Sequence, residues 1–137
     1  MASIRSGIGE NMEDRYLFKA KHFEEWHIGN IVKEPDGLYI RDIKENVMAS
    51  IDDESTICQC TGLKDKNGKL IWENDVVKCR TGTAKVIWDK SEWRIEWIRD
   101  DLWRKDLFYW AKEDKQGIEV IGNIFDGGFD GKKSKKD

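Results

Sequence analysis

Asn67–Gly68, set within the run TGLKDKNGKLIWENDVVKC at residues 61–79, constrains this chain more than any other pair of residues. Both residues tolerate positive φ at little steric cost, and an Asn–Gly pair ahead of an apolar run is among the strongest signals for a tight β-hairpin. Asp65 stands where its carboxylate can accept hydrogen bonds from backbone groups about two residues on and pre-form the bend. Leu70, Ile71 and Trp72 then restore apolar character. Glu73-Asn74-Asp75 interrupts it at Asn74, a residue able to enter the left-handed region. Residues 76–79 read as strand, Arg80-Thr81-Gly82 as turn, and AKVIWD at 84–89 as the returning strand. A chain that reverses this often builds a barrel-like sheet of short hairpins.

The same texture extends in both directions. Tyr16, Phe18 and Ala20 alternate against Leu17, Lys19 and Lys21, which suits a half-buried strand. His22 to Glu25 is polar and turns, and Trp26, Ile28, Asn30 and Val32 offer a second strand of the same period. EPDG at 34–37 carries the only proline and reads as a turn. LYIRDI at 38–43 is a strand, whereas KENVMASIDDES at 44–55 fits loop, short strand or helical turn equally. Ile57 is the apolar strand residue of the following STICQCTG. Beyond the turn Asp89-Lys90-Ser91, Trp93, Ile95 and Trp97 alternate with Arg94 and Glu96. Strand is preferred there to helix because AKVIWD and WRIEWI can pair across the short connection. RDDLWRKDLFYWAKED at 99–114 favours helix, with Leu102, Trp103, Leu107 and Trp110 near one stripe and Asp106 placed to cap residues 107–112. IEVIGNIFD, with Ile118, Val120 and Gly122 on one face, is a closing strand, and Gly127–Gly128 lets the chain leave the sheet.

Composition bounds the function. Of the 137 residues 39% are hydrophobic and 37% charged, so the apolar supply is modest, but seven Trp enlarge it. Each buried indole removes roughly 150–250 Å² from water. A net charge of −3 argues against a general polyanion binder. The one basic cluster, GKKSKKD at 131–137, reads as a solubilising tail, and residues 1–11 as a leader outside the fold. Cys58, Cys60 and Cys79 cannot all pair within one chain. No apolar run approaches the roughly 18–20 residues of a membrane span, and a reducing cytoplasm with free thiols is the expected setting. CQC at 58–60 invites a metal site with His22, His27 and Cys79, yet structural zinc wants two close ligand pairs. No metal is expected.

No P-loop, dinucleotide fingerprint, zincin motif or nucleophile elbow occurs. A triad would need His22 or His27, and neither has an evident Ser partner, so both read as surface or interface residues. The pairs Asp52–Asp53 and Asp100–Asp101 are adjacent by chance in a chain with 27 acids. No catalytic residue and no cofactor is expected. Trp93, Arg94, Trp97, Trp103 and Arg104 are the candidate binding residues, because rings interleaved with cations can stack on single-stranded nucleic acid or anchor a protein partner. The competing reading makes the rings core, and Glu92, Glu96, Asp100, Asp101 and Asp106 weaken the polyanion case.

Three phrases in order resemble the YopX-like family of phage and prophage proteins: MEDRYLFKAK with W-x-x-G-N-I-V, then TGLKDKNGKLIWENDVV, then IEVIGNIFD. The middle phrase is similar to the family signature G-L-x-D-K-N-G-x-x-I-Y-E-G-D-I-V, with Trp72 for Tyr and Asn74 for Gly. Phe125 replaces a Tyr in the last. The resemblance runs from Met12 to Phe125, and beyond it DGGFDGKKSKKD replaces the usual continuation. It implies a mainly β chain, with an N-terminal β lobe over 12–60, an SH3-like small barrel over 61–126 and one or two short helices, folding as one cooperative unit ahead of a flexible tail at 127–137. The family carries no established biochemical activity to transfer, and with the motifs above absent no enzyme is expected. The expected function is that of a non-enzymatic phage or prophage accessory protein in the bacterial cytoplasm, binding another protein or itself as a homo-oligomer. The alternative is a small barrel that binds nucleic acid through its face and the lysine tail.

Overall fold

The computed structural model describes residues 14–98 and 104–127. Ten strands follow in order: β1 (Phe18–His22), β2 (Glu25–Glu34), β3 (Gly37–Asp42), β4 (Val47–Ser50), β5 (Cys58–Lys64), β6 (Leu70–Trp72), β7 (Asp75–Cys79), β8 (Gly82–Asp89), β9 (Glu92–Trp97) and β10 (Glu119–Asn123). They form two antiparallel sheets, ordered β4-β3-β2-β1-β5-β6 and β10-β7-β8-β9. Among the described residues there are also three short helical turns: Glu54–Thr56, Tyr109–Glu113 and Ile124–Asp126. The chain divides into two compact units, Met1–Gly62 and Leu63–Asp137.

In the first unit β1 to β4 are consecutive hairpins. The β1–β2 turn places Phe23 and Glu24 at φ of 52° and 69°. The Phe23 N–H donates to Asp52 Oδ2 at 2.8 Å, which helps to hold a left-handed turn that neither residue favours alone. Ala20, Ile40, Ala49 and Ile51 form the core, with Ile31, Leu38 and Ile57 packed against it. The period of β2 agrees with the alternation in the sequence, but the inward face is the other one: His27 and Gly29 are buried, while Ile28 and Asn30 are exposed. The backbone dictates this. A Cβ on Gly29 would sit 1.8 Å from the carbonyl oxygen of Arg41, so glycine alone fits at that crossing. The ambiguous stretch at 44–55 resolves into a turn, the short strand β4 and the start of one helical turn.

In the second unit the Asn67–Gly68 bend forms as a type I-like turn closed by one left-handed residue. Gly68 takes φ 83° and its N–H donates to the Asp65 carbonyl at 2.9 Å, while Asn67 keeps negative φ. Asn74 does enter the left-handed region, at φ 70°. Beyond it β7, β8 and β9 meander, and β10 returns beside β7 with a bulge between Val120 and Gly122. Ile71, Val77, Ala84, Val86, Ile95, Leu107, Ile118 and Val120 fill the core together with Trp97 and Trp110, whose rings meet edge to face with centroids 5.6 Å apart.

Of the helix expected at 99–114, residues 99–103 lie outside the described residues, and among the rest it forms only from Leu107, as a turn that takes the wide π form over Tyr109–Glu113, with the Tyr109 N–H 3.3 Å from Asp106 Oδ2. Before it, residues 104–106 are extended. Ile95 N–H donates to the Lys105 carbonyl at 2.8 Å, and Asp106 bridges to Arg94. An otherwise unpaired β9 edge thus outweighs a local helical stripe. The four-stranded sheet is open: among the described residues no pairing joins β9 to β10. The closure expected of an SH3-like barrel over 61–126 is therefore not formed there, because part of the β9 edge is taken by residues 104–106. The leader at 1–11 and the basic cluster at 131–137 lie outside the described residues.

Candidate functional site

The β8–β9 hairpin turns through Lys90 and Ser91, both left-handed at φ 53° and 60°. Its register sets Trp88 opposite Trp93, Val86 opposite Ile95 and Ala84 opposite Trp97. Side chains directly opposite in a ladder share one face of the sheet. That face is therefore core at Ala84, Val86, Ile95 and Trp97, and ends in two indoles where the hairpin runs out. The Trp88 and Trp93 rings meet at 72° with centroids 5.0 Å apart. Such a contact is worth about 0.5–1.5 kcal/mol beyond area burial. Trp93 is half-buried, whereas Trp88 remains 55% exposed.

The sequence-predicted residues separate. Trp93 and Arg94 lie on β9 at the rim of this pair. Trp97 faces inward, 8% exposed, and its Nε1 has no acceptor among the described residues. Arg104 lies over the Tyr109 ring, 4.0 Å from its centroid, with Nε 2.7 Å from Asp106 Oδ1. Trp103 lies outside the described residues. Trp88 is the residue the sequence reading passed over. Its signal was the four-residue span from Asp89 to Glu92, which fixes the register and sets the two indoles opposite each other.

Charge near these rings is locally compensated. Arg94 pairs with Glu92 at 2.5 Å, Lys85 with Glu96 at 3.8 Å, and Arg80 with Asp114 at 2.7 Å. The more exposed of them, Lys85 with Glu96, adds little stability, whereas Asp114 is buried. Their effect is to pair Arg80, Lys85 and Arg94 with carboxylates among the described residues.

Both histidines lie in the first unit, with ring centroids 6.2 Å apart. His22 Nδ1 meets the Ser50 carbonyl oxygen at 2.9 Å, Ser50 Oγ at 3.2 Å and Asp52 Oδ2 at 3.8 Å. All three converge on one nitrogen. A relay needs the hydroxyl and the carboxylate on opposite ring nitrogens, so this group is not arranged as a triad. His27 is buried rather than superficial, with Nδ1 2.8 Å from Asp42 Oδ2. Asp42 Oδ1 accepts from the Lys44 and Glu45 N–H groups, each at 2.8 Å. The Glu45 N–H bond is the main cause holding the Asp42 carboxyl below its ordinary range, His27 adds to it, and burial opposes it. The three cysteines are buried and none is in a disulfide, and none joins a His, Asp or Glu group of metal-ligand geometry among the described residues.

Two antiparallel sheets and an aromatic hairpin tip define a small mainly β protein. The YopX protein family matches residues 22–128, and the chain belongs to that family. No curated protein matches the chain. Among the described residues no helix is long and apolar enough to cross a membrane.

Proposed function

We propose that this YopX-family chain is a non-enzymatic accessory protein that acts by binding another protein, with Trp88 and Trp93 as the anchor. The observation that carries this reading is the exposed Trp88, 55% accessible and braced on Trp93. A large ring in water at the end of an apolar ladder has the character of an interface anchor, since Trp dominates binding energy where it is desolvated. The resemblance to phage and prophage proteins favours the bacterial cytoplasm as its place of action. In this reading the β7–β8–β9 meander, with β10 beside β7, is an opened variant of the SH3-like plan.

The test is recovery of partners on the tagged full chain from nuclease-treated, prophage-induced lysate at two salt concentrations, beside Trp88→Ala. Sedimentation of each protein alone accompanies it. The reading expects a protein recovered in stoichiometric amount, or a dimer, that persists at higher salt and is lost with Trp88→Ala. Recovery unchanged by Trp88→Ala would defeat it. Recovery abolished by nuclease would favour nucleic-acid binding, the second reading, which the paired Arg80, Lys85, Arg94 and Arg104 disfavour.

A further inference from the structure

We infer that His27, Asp42 and Glu45 form a binding site for a divalent metal ion of the Zn²⁺ class. One ligand atom from each lies within 4.8 Å of the other two. The site is built by the fold. His27 projects from β2, Asp42 ends β3, and Glu45 sits in the turn before β4. Asp42 Oδ1 is engaged by the Lys44 and Glu45 N–H groups, which leaves Oδ2 as a single donor turned to His27. Those two N–H bonds act as an outer shell, fixing both the carboxylate and the backbone that carries Glu45.

The donor set selects the ion. One imidazole and two carboxylates suit a borderline divalent cation better than a soft one, which would want thiolates, and use the imidazole better than Mg²⁺ or Ca²⁺ would. Zinc bonds such donors at about 2.0–2.2 Å. Tetrahedral geometry then asks for roughly 3.3 Å between donor atoms. His27 Nδ1 and Asp42 Oδ2 are 2.8 Å apart, so they need to separate only slightly as the metal takes the place of the bridging proton. Glu45 is exposed and closes the set from the solvent side, which gives the ion a way in. Three protein ligands leave a fourth position for water. His22 stays outside the set, because its Nδ1 is held by Ser50.

The experiment uses the full chain, stripped with chelator and titrated with Zn²⁺ by calorimetry, and with Co²⁺ to read coordination from its visible bands. One equivalent should bind, with four-coordinate Co²⁺ bands and none of the sulfur charge-transfer absorption that thiolate ligation gives. Loss of an outer-shell partner alone typically weakens metal binding about 10–100-fold, so Glu45→Gln should cost at least tenfold. That variant keeps the backbone bonds of the turn and is the informative one, since Asp42 variants remove the turn's own acceptor. Its far-UV circular dichroism should match the parent. His27→Gln should abolish binding, and His22→Gln should leave it unchanged. No stoichiometric binding, affinity unchanged by Glu45→Gln, or loss on His22→Gln would each overturn the site.

Discussion

Asp65 is 6% exposed, yet its carboxylate meets three backbone donors: Asn67 and Lys69 on Oδ1 at 2.9 and 2.8 Å, and Val120 on Oδ2 at 2.9 Å. One side chain thus shapes its own bend and clasps β10, fifty-five residues on. In Asp65→Ala the turn donors can turn to water, but the buried Val120 N–H has little alternative. A buried donor left unmade costs about 1–3 kcal/mol, so with the weakened turn the loss should be about 2–4 kcal/mol in urea unfolding. A change below about 1 kcal/mol would show that the clasp is dispensable. Cys79 sets a different constraint. Burial first, then the nearby Asp114 carboxylate, pushes its thiol up to about 12. The thiolate is the reactive form, and at pH 8 only about one thiol in ten thousand would then be ionised. Iodoacetamide at pH 8 should leave native Cys79 unmodified while an exposed model thiol reacts fully, with the adduct appearing only in denaturant. Peptide mass spectrometry reads the outcome, and rapid native labelling would contradict the burial.

At the level of elements the turns carry the design. Asn74 donates its N–H to Val86 at 2.8 Å and accepts from Ile124 at 3.0 Å, with φ at 70°. Glycine reaches that conformation without a Cβ and asparagine with little penalty, so Asn74→Gly should change stability by less than about 1 kcal/mol. Asn74→Val should cost about 1–2 kcal/mol or more, because a β-branched residue is strained there. Equal thermal midpoints for the two variants would refute the account. Turns of this kind were legible because Asn and Gly advertise left-handed backbone. Phe23–Glu24 and Lys90–Ser91 carry no such mark: the sequence placed those turns but not their hand, which depends on partners such as Asp52 and on strand twist. The inward face of β2 was hidden for a related reason. Alternation fixes a period, but the side that faces the core was decided by the Arg41 backbone at Gly29 and by Asp42 at His27. Trp97 stood both as a candidate binding residue and as core, and it is buried at 8% exposure. The exposure of Trp88 was not legible, since periodicity does not reveal where cover ends.

For the whole molecule, sheet closure and charge distribution are the properties that depend on distant residues together. Hairpin signals set β7, β8 and β9 in sequence, but whether the sheet closes depends on what meets the edge of β9, and residues 104–106 do so. Charge follows similar logic. A count of 24 basic against 27 acidic residues gives only a net sign, whereas the pairing of Arg80, Lys85, Arg94 and Arg104 with carboxylates removes the local field a phosphate backbone would need. Phosphate contacts supply most non-specific affinity and weaken steeply with salt, so this face should contribute almost none. Gel retardation with single- and double-stranded DNA should therefore show at most weak binding at low salt that vanishes by about 0.2 M. Replacing Lys132, Lys133, Lys135 and Lys136 with Ser should remove any such residue of binding, as those four form the densest run of cations in the chain. Retention of a complex at about 0.2 M salt, unchanged by those replacements, would mean that the paired arginines open to receive phosphate, and the protein-binding reading would give way to the nucleic-acid one.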